Sequence, residues 1–211
     1  MSLEELREQN KRTVIEAALG CFIEQGIEQT KISEIARRAE LTERSIYRYF
    51  ETKADLVLAA ALLFWEDNQQ KIEHAHEKNA HGKSGIAQIY ETLCAYADLY
   101  FTARQKIIFV QEAEGYLNRN GKSALLDNKP PTPFKSSHAP LANAIRAGIA
   151  DGSVKTSADV ELLYYNTYDA LLGLLQKMAI TQDGAATNGI DARQRLTHFC
   201  KLLTASFEQK F

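Results

Sequence analysis

The chain has no excess of positive charge: over 211 residues its formal net charge is −2 and its isoelectric point is near 6.2. Bulk charge therefore supplies no attraction to nucleic acid or to an acidic membrane, and phosphate binding would have to rest on a few well-aimed cations, hydroxyls and helix N-termini. Residues 1–53 share the balance, with nine Lys and Arg against ten Asp and Glu. No uninterrupted apolar run approaches the roughly 18 residues of a membrane span. The polar start MSLEELREQNKR is no secretory signal. A soluble, cytoplasmic protein with no membrane partner is expected.

Cysteine is scarce. Cys21, Cys94 and Cys200 stand singly within apolar helical patterns, and their odd number and lack of paired spacing argue against a closed disulfide framework. They are read as buried reduced thiols. Of the histidines, His74, His76 and His81 have the look of ligands, but a spacing of two puts His74 and His76 on different sides of a helix. A solvated helix end is the better reading, and neither metal nor cofactor is expected.

What the chain does have is period 3.6. Hydrophobic residues make up 45% of it, enough for a core of ordinary size in one larger domain or in a small one followed by a larger one. Residues 5–25 align Val14 or Ile15, Ala18, Leu19, Phe22 and Ile23 on one face, and Gly26 ends the pattern. Thr30 is a good N-cap for a short helix with Ile32, Ile35, Ala36 and Ala39 inward. Leu41 plugs a turn, Thr42 caps the next helix, and Ile46 and Phe50 form its inner face. Thr52 to Asp55 has the spacing of a capping box and opens a long helix through Leu56, Val57, Ala60, Leu63 and Phe64. Further helices follow through Ile86 to Tyr100 and Lys106 to Leu117, with a proline-rich loop over 118–133. Leu141, Ile145 and Ile149 mark the next. A cap signal at 156–159 then precedes a helix whose segment DALLGLLQKMAI is apolar nearly all round, which calls for cover on several sides and suggests a second subunit. After a polar loop near 181–189 the last helix sets Leu196, Phe199, Leu202, Leu203 and Phe207 on one face. Nothing alternates convincingly at period 2, and an all-α fold is expected.

The stretch from Thr30 to Lys53 reads as a helix-turn-helix. Its second helix presents Glu43, Arg44, Tyr47 and Arg48 outward, with Ser45 at the edge. Arg44 can take guanine bidentately and Ser45 can approach a base edge or a thymine methyl. Thr30 and Thr42 lie at helix N-termini, which favour a phosphate oxygen, and Tyr47, Tyr49 and Lys53 can reach the backbone. By residue type alone, the aromatics could equally be core and the arginines a solvated face.

Gly26, Thr30 and the run ISEIARRAELTERSIYRYFETKADL resemble the N-terminal signature of the TetR family of bacterial transcriptional regulators, at Thr30, Ile35, Ala36, Leu41, Thr42, Ser45, Ile46, Tyr47, Tyr49, Phe50, Lys53 and Leu56. The resemblance covers about the first quarter of the chain. It implies a helix-turn-helix DNA-binding domain over 1–53, a larger helical effector-binding and dimerisation domain over 54–211, and a homodimer joined through its last two helices on a palindromic double-stranded operator. It further implies base contacts from Glu43, Arg44 and Ser45, and phosphate contacts from Thr30, Thr42, Tyr47, Tyr49 and Lys53, with Arg48 on the same face. The family usually has glycine where this chain has Glu40; if the turn requires a left-handed residue, glutamate costs about 1 kcal/mol there.

The function so implied is a ligand-responsive regulator, most often a repressor released by a small molecule. Trp65, Tyr96, Tyr100, Phe109, Tyr116, Tyr165 and Tyr168 could surround an effector cavity, with Glu112 or Gln111 orienting a polar end, which suggests a largely apolar or aromatic ligand of unknown identity. An enzyme is not expected: Glu112 and Glu114, two residues apart on a helix, point about 200° apart and do not converge. The remaining alternative is a helical sensor or adaptor that no longer binds DNA.

Overall fold

The computed structural model describes residues 2–80, 82–122, 139–181 and 189–208, and every regular element among them is a helix. Two compact units divide the chain: Met1–Glu66 with Ile108–Pro130, and Asp67–Ile107 with Pro131–Phe211. The expected boundary after residue 53 coincides with the start of a helix, whereas the units part within that helix, at residue 66. The loop expected over 118–133 and the polar loop near 181–189 lie largely outside the described residues.

The first unit holds α1 (Leu3–Gln25), α2 (Ile32–Arg38), α3 (Glu43–Tyr47), the first half of α4 (Lys53–Ala80) and most of α6 (Arg104–Arg119). A capping box starts α1: the Ser2 hydroxyl accepts from the Glu5 N–H at 3.1 Å and the Glu5 carboxylate from the Ser2 N–H at 2.7 Å. At the other end Gly26, with φ 82°, turns the chain out. Val14, Ala18 and Phe22 form the buried stripe of α1, and Phe22 stacks on Phe109 of α6 with ring centroids 5.8 Å apart. With Ile35, Ile46, Leu56, Phe64 and Leu117 these side chains make a closed core. Removing each such side chain from water stabilises the fold by about 1.5–3 kcal/mol.

The second unit is arranged around α5 (Gly85–Thr102), which packs on α7 (Pro140–Asp151), α8 (Val160–Ile180) and α9 (Ala192–Ser206). Where α5 begins it crosses α7 backbone to backbone: a Cβ on Gly85 would lie 2.0 Å from the Gly148 nitrogen. The first turn of α5 takes its cap from the same place, Gly85 N–H donating to the Asp151 carboxylate at 2.6 Å and Ile86 N–H to the Ser153 hydroxyl at 3.0 Å. Arg104 donates to the carbonyls of Ala179 and Thr181, both at 3.2 Å, and so closes the C-terminus of α8.

Within the cap signal at 156–159, Asp159 is the N-cap of α8 and accepts from Glu161 N–H, while Thr156 closes a local turn onto Ala158. Leu202 does not join the inner face of α9; it is 54% exposed, and Ile149 is likewise exposed at the end of α7. The apolar circumference of α8 is buried through Leu171, Leu175 and Met178 but leaves Leu162, Tyr165 and Ile180 open.

Candidate nucleic-acid interface

Helix α2 starts one residue later than its sequence suggests. Its N-cap is Lys31, whose N–H donates to the Glu34 carboxylate at 3.0 Å. Thr30 is only 2% exposed, and its hydroxyl donates to the carbonyls of Gly26 at 2.8 Å and Cys21 at 3.3 Å. The roles of helix cap and side-chain phosphate ligand for Thr30 are therefore corrected: the hydroxyl is spent inside the protein, locking the end of α1 to the start of α2.

The turn after α2 is closed by two bonds, Leu41 N–H to the Ala36 carbonyl at 2.9 Å and Glu40 N–H to the Arg37 carbonyl at 3.3 Å. That pair is a Schellman motif, which requires a left-handed residue at its centre. Glu40 occupies that place with φ 55°. The turn demanded by the family's glycine is thus kept, at the strain a Cβ imposes there.

Thr42 caps α3, its hydroxyl accepting from the Ser45 N–H at 3.1 Å and lying 2.9 Å from the Ser45 hydroxyl. Ile46 and Phe50 are buried, which fixes the rotation of α3 and sends Glu43, Arg44, Tyr47 and Arg48 outward, with Ser45 and Tyr49 half-buried at the rim. Arg48 lies over the Tyr49 ring at 5.2 Å and donates to its hydroxyl at 3.2 Å. That contact holds the tyrosine hydroxyl at the surface. The expected capping box opens α4, Thr52 and Asp55 exchanging bonds of 2.9 and 3.2 Å. Lys53 donates to the Glu28 carbonyl at 3.3 Å and lies 5.9 Å over the Tyr116 ring, where partial burial lowers the pKa of its ammonium group.

Sequence reading missed the supports of this frame. Arg38 pairs with Glu24 at 2.7 Å, Arg119 with Glu28 at 3.1 Å, and Lys122 with Asp55. Gly20 makes room for the first of these, since a Cβ there would lie 2.6 Å from the Arg38 guanidinium. Partners separated by 14 to 91 residues leave no periodic trace.

The effector candidates are divided between the units. Trp65, Phe109, Glu112 and Tyr116 fall in the first, where Trp65 meets Phe64 edge-on, Phe109 belongs to the core beneath Phe22, Glu112 is exposed and Tyr116 lies under Lys53. Tyr96, Tyr100 and Tyr168 fall in the second. Tyr96 packs edge-on against Tyr168 at 5.5 Å, and Tyr168 stacks on Tyr164 at 5.6 Å. Tyr164, overlooked in favour of the exposed Tyr165, is the third member of this cluster. Burial pushes the phenols of Tyr96 and Tyr164 above the usual tyrosine range, so both stay neutral donors. Beside them in sequence, Thr92 is buried and meets Nδ1 of His76 at 3.2 Å.

Residues 14–60, which contain the whole α2–turn–α3 frame, match the family described as bacterial regulatory proteins, tetR family. Over these residues the chain is similar to the TetR family. A curated relative, the HTH-type transcriptional regulator HbdR of Aromatoleum sp. (strain CIB), is 30% identical over 93 residues, covering 44% of this chain and 41% of that protein. The similarity therefore spans less than half the relative's length. A solved TetR-family transcriptional regulator from Mesorhizobium loti MAFF303099 aligns with a TM-score of 0.71 at 15% identity, over 95% of this chain and 96% of that one. Thermus thermophilus FadR, a TetR-family repressor solved in complex with lauroyl-CoA, aligns with a TM-score of 0.64 at 15% identity, over 92% of each chain. At such identities the structural likeness speaks to the fold, which this chain shares with TetR-family proteins along nearly all of its length.

Proposed function

We propose that this protein is a ligand-responsive transcriptional repressor of the TetR type, a regulator and not an enzyme, acting in the cytoplasm on a palindromic operator. The observation that carries the reading is the outward face of α3, where Arg44 stands exposed beside Glu43 and Ser45. In a major groove Arg44 reads guanine, Ser45 a neighbouring base edge, and Glu43 accepts from a cytosine amino group. Thr42, Tyr47, Arg48, Tyr49 and Lys53 hold the phosphates on either side, Lys53 exchanging the Glu28 carbonyl for a phosphate oxygen. Residues 1–53 act as the reading head and 54–211 as the sensing and dimerising part.

Two copies are joined through α8 and α9. The open face of α8 runs Leu162, Tyr165, Asp169, Gly173 and Ile180, and α9 adds Leu202. Paired with the same helices of a second copy they form a four-helix bundle. The Tyr96–Tyr164–Tyr168 cluster with Tyr100 supports an effector that is largely apolar or aromatic. Binding that favours a different spacing of the two reading heads than the roughly 34–36 Å of successive major grooves lowers operator affinity by population shift.

Titration against the DNA flanking its own gene, at several salt concentrations, tests the proposal. Arg44→Ala is expected to weaken specific binding by about 1–3 kcal/mol while leaving random-duplex binding nearly unchanged. Binding no tighter than to a random duplex at low salt refutes the DNA-binding reading and favours a sensor without DNA.

A further inference from the structure

Two of the three cysteines line one cavity, although they stand 106 positions apart in the sequence. Cys94 on α5 and Cys200 on α9 both line a cavity of about 380 Å³ with Asp98, Phe101, Arg193 and Leu196, and each thiol shifts the acidity of the other. Their surroundings differ. Cys94 is half-exposed, whereas Cys200 is fully buried behind it. We propose that Cys94 and Cys200 form a hydroperoxide-reactive dithiol, with Cys94 as the attacking sulfur, Cys200 as the resolving one, and an organic hydroperoxide as the substrate class.

The division of labour follows from the contacts. The Cys200 thiol and the Tyr90 hydroxyl both hydrogen-bond to Cys94 and favour its thiolate, outweighing burial and the nearby charges of Glu91 and Asp98. Those two carboxylates are themselves answered, Glu91 by Lys83 at 2.5 Å and Asp98 by Arg193 at 3.5 Å. Cys200, donating to Cys94 and buried, is held protonated until its neighbour has reacted. Arg193 lies 4.2 Å over the Phe101 ring, and the pocket is lined by apolar Ala95, Ala97, Phe101 and Leu196 as well as polar Asp98, Arg193 and Thr197, a mixed lining suited to an alkyl or aryl hydroperoxide.

In the first step the Cys94 thiolate attacks the terminal peroxide oxygen. An S–O bond forms, the O–O bond breaks, and the alkoxide leaves as the alcohol after taking a proton from solvent. Cys94 is then a sulfenic acid. Cys200 attacks that sulfur, the S–S bond forms, and hydroxide departs with the Cys200 proton as water. Two thiols are oxidised to one disulfide, and the hydroperoxide is reduced to alcohol and water. Cys21 serves as an internal contrast, since it is buried in the first unit and burial pushes its thiol up.

The test exposes the full chain to cumene hydroperoxide at neutral pH, then alkylates free thiols under denaturing conditions and maps them by mass spectrometry. Expected are loss of two thiols, a peptide pair linking Cys94 to Cys200, and oxidation at least about tenfold faster than that of free cysteine. Cys200→Ser should trap a sulfenic acid at Cys94 with dimedone, and Cys21→Ser should change nothing. Three intact thiols under conditions that oxidise free cysteine, or a disulfide that includes Cys21, would overturn the proposal. Because the readout is thiol chemistry in the wild-type chain, it stands apart from any DNA measurement.

Discussion

Replacing Glu40 by glycine should make the protein more stable, and the size of the gain can be worked from the turn. At φ 55° the Glu40 backbone places its Cβ against the preceding carbonyl, a strain of about 1 kcal/mol relative to glycine. A second cost is electrostatic: Glu40 sits just past the C-terminus of α2, where a carboxylate meets the negative end of the helix dipole, worth about 0.3–1 kcal/mol and screened by salt. Two variants separate the costs. Glu40→Ala removes the charge and keeps the Cβ, so it should gain only a few tenths of a kcal/mol at low salt and nothing at high salt. Glu40→Gly removes both and should exceed the alanine variant by about 1 kcal/mol at every ionic strength. For a chain of this size 1 kcal/mol corresponds to roughly 2–4 °C in Tm. Urea denaturation gives the difference globally, and hydrogen exchange of the Leu41 amide, which donates to Ala36 across the turn, reads it locally. A glycine variant no more stable than the alanine variant would refute the claim that backbone strain is stored at this position.

The crossing of α5 and α7 leaves no room for a methyl group, and Gly85→Ala, whose Cβ would lie 2.0 Å from the Gly148 nitrogen, should cost about 3 kcal/mol or more, measured by denaturant midpoint. Gly115→Ala, with only the flexible Arg119 end 3.4 Å away, should instead gain about 0.5–1 kcal/mol. The Asp55 carboxyl is opposed by burial, yet hydrogen bonds from Lys122 and Thr52 outweigh that and hold it below the usual carboxylate range. Its contribution to stability is therefore present above the unfolded value near pH 4 and is lost as pH falls through the folded one, so Asp55→Asn should be less stable by about 1 kcal/mol at pH 7 and should approach wild type as acid denaturation carries the pH below the usual carboxylate range. Thr30→Val should cost about 1 kcal/mol of stability, read by thermal melting, while leaving the salt dependence of DNA binding unchanged, because the hydroxyl is committed to two carbonyls.

The helical fold and the frame of the interface were legible because their signals are local. Ile46 and Phe50 at a spacing of four fix how α3 turns, Gly26 and Thr42 mark ends, and the Thr52–Asp55 box marks the start of α4. Thr30 misled because a threonine before a helical pattern looks like a cap, and only the three-dimensional return of α1 reveals the two carbonyls that claim it. Likewise Leu202 fits the periodic face of α9 on paper, yet Cys200 and Leu196 define the inward direction. Aromatic residues were visible as candidates but not as a cluster: periodicity cannot tell that Phe109 completes a core with Phe22 while Tyr96 meets Tyr168. The meeting of Cys94 and Cys200 had no local sign at all.

The first turn of α5 offers a last consequence. Its amides find their acceptors on Asp151 and Ser153, more than sixty residues downstream, so during synthesis the helix emerges with an open end that stays unsatisfied until α7 has been made and docked. Secondary structure and topology are thus completed in one event at that corner. A chain cut between α6 and α7 should leave α5 frayed at its start even where its sequence favours a helix.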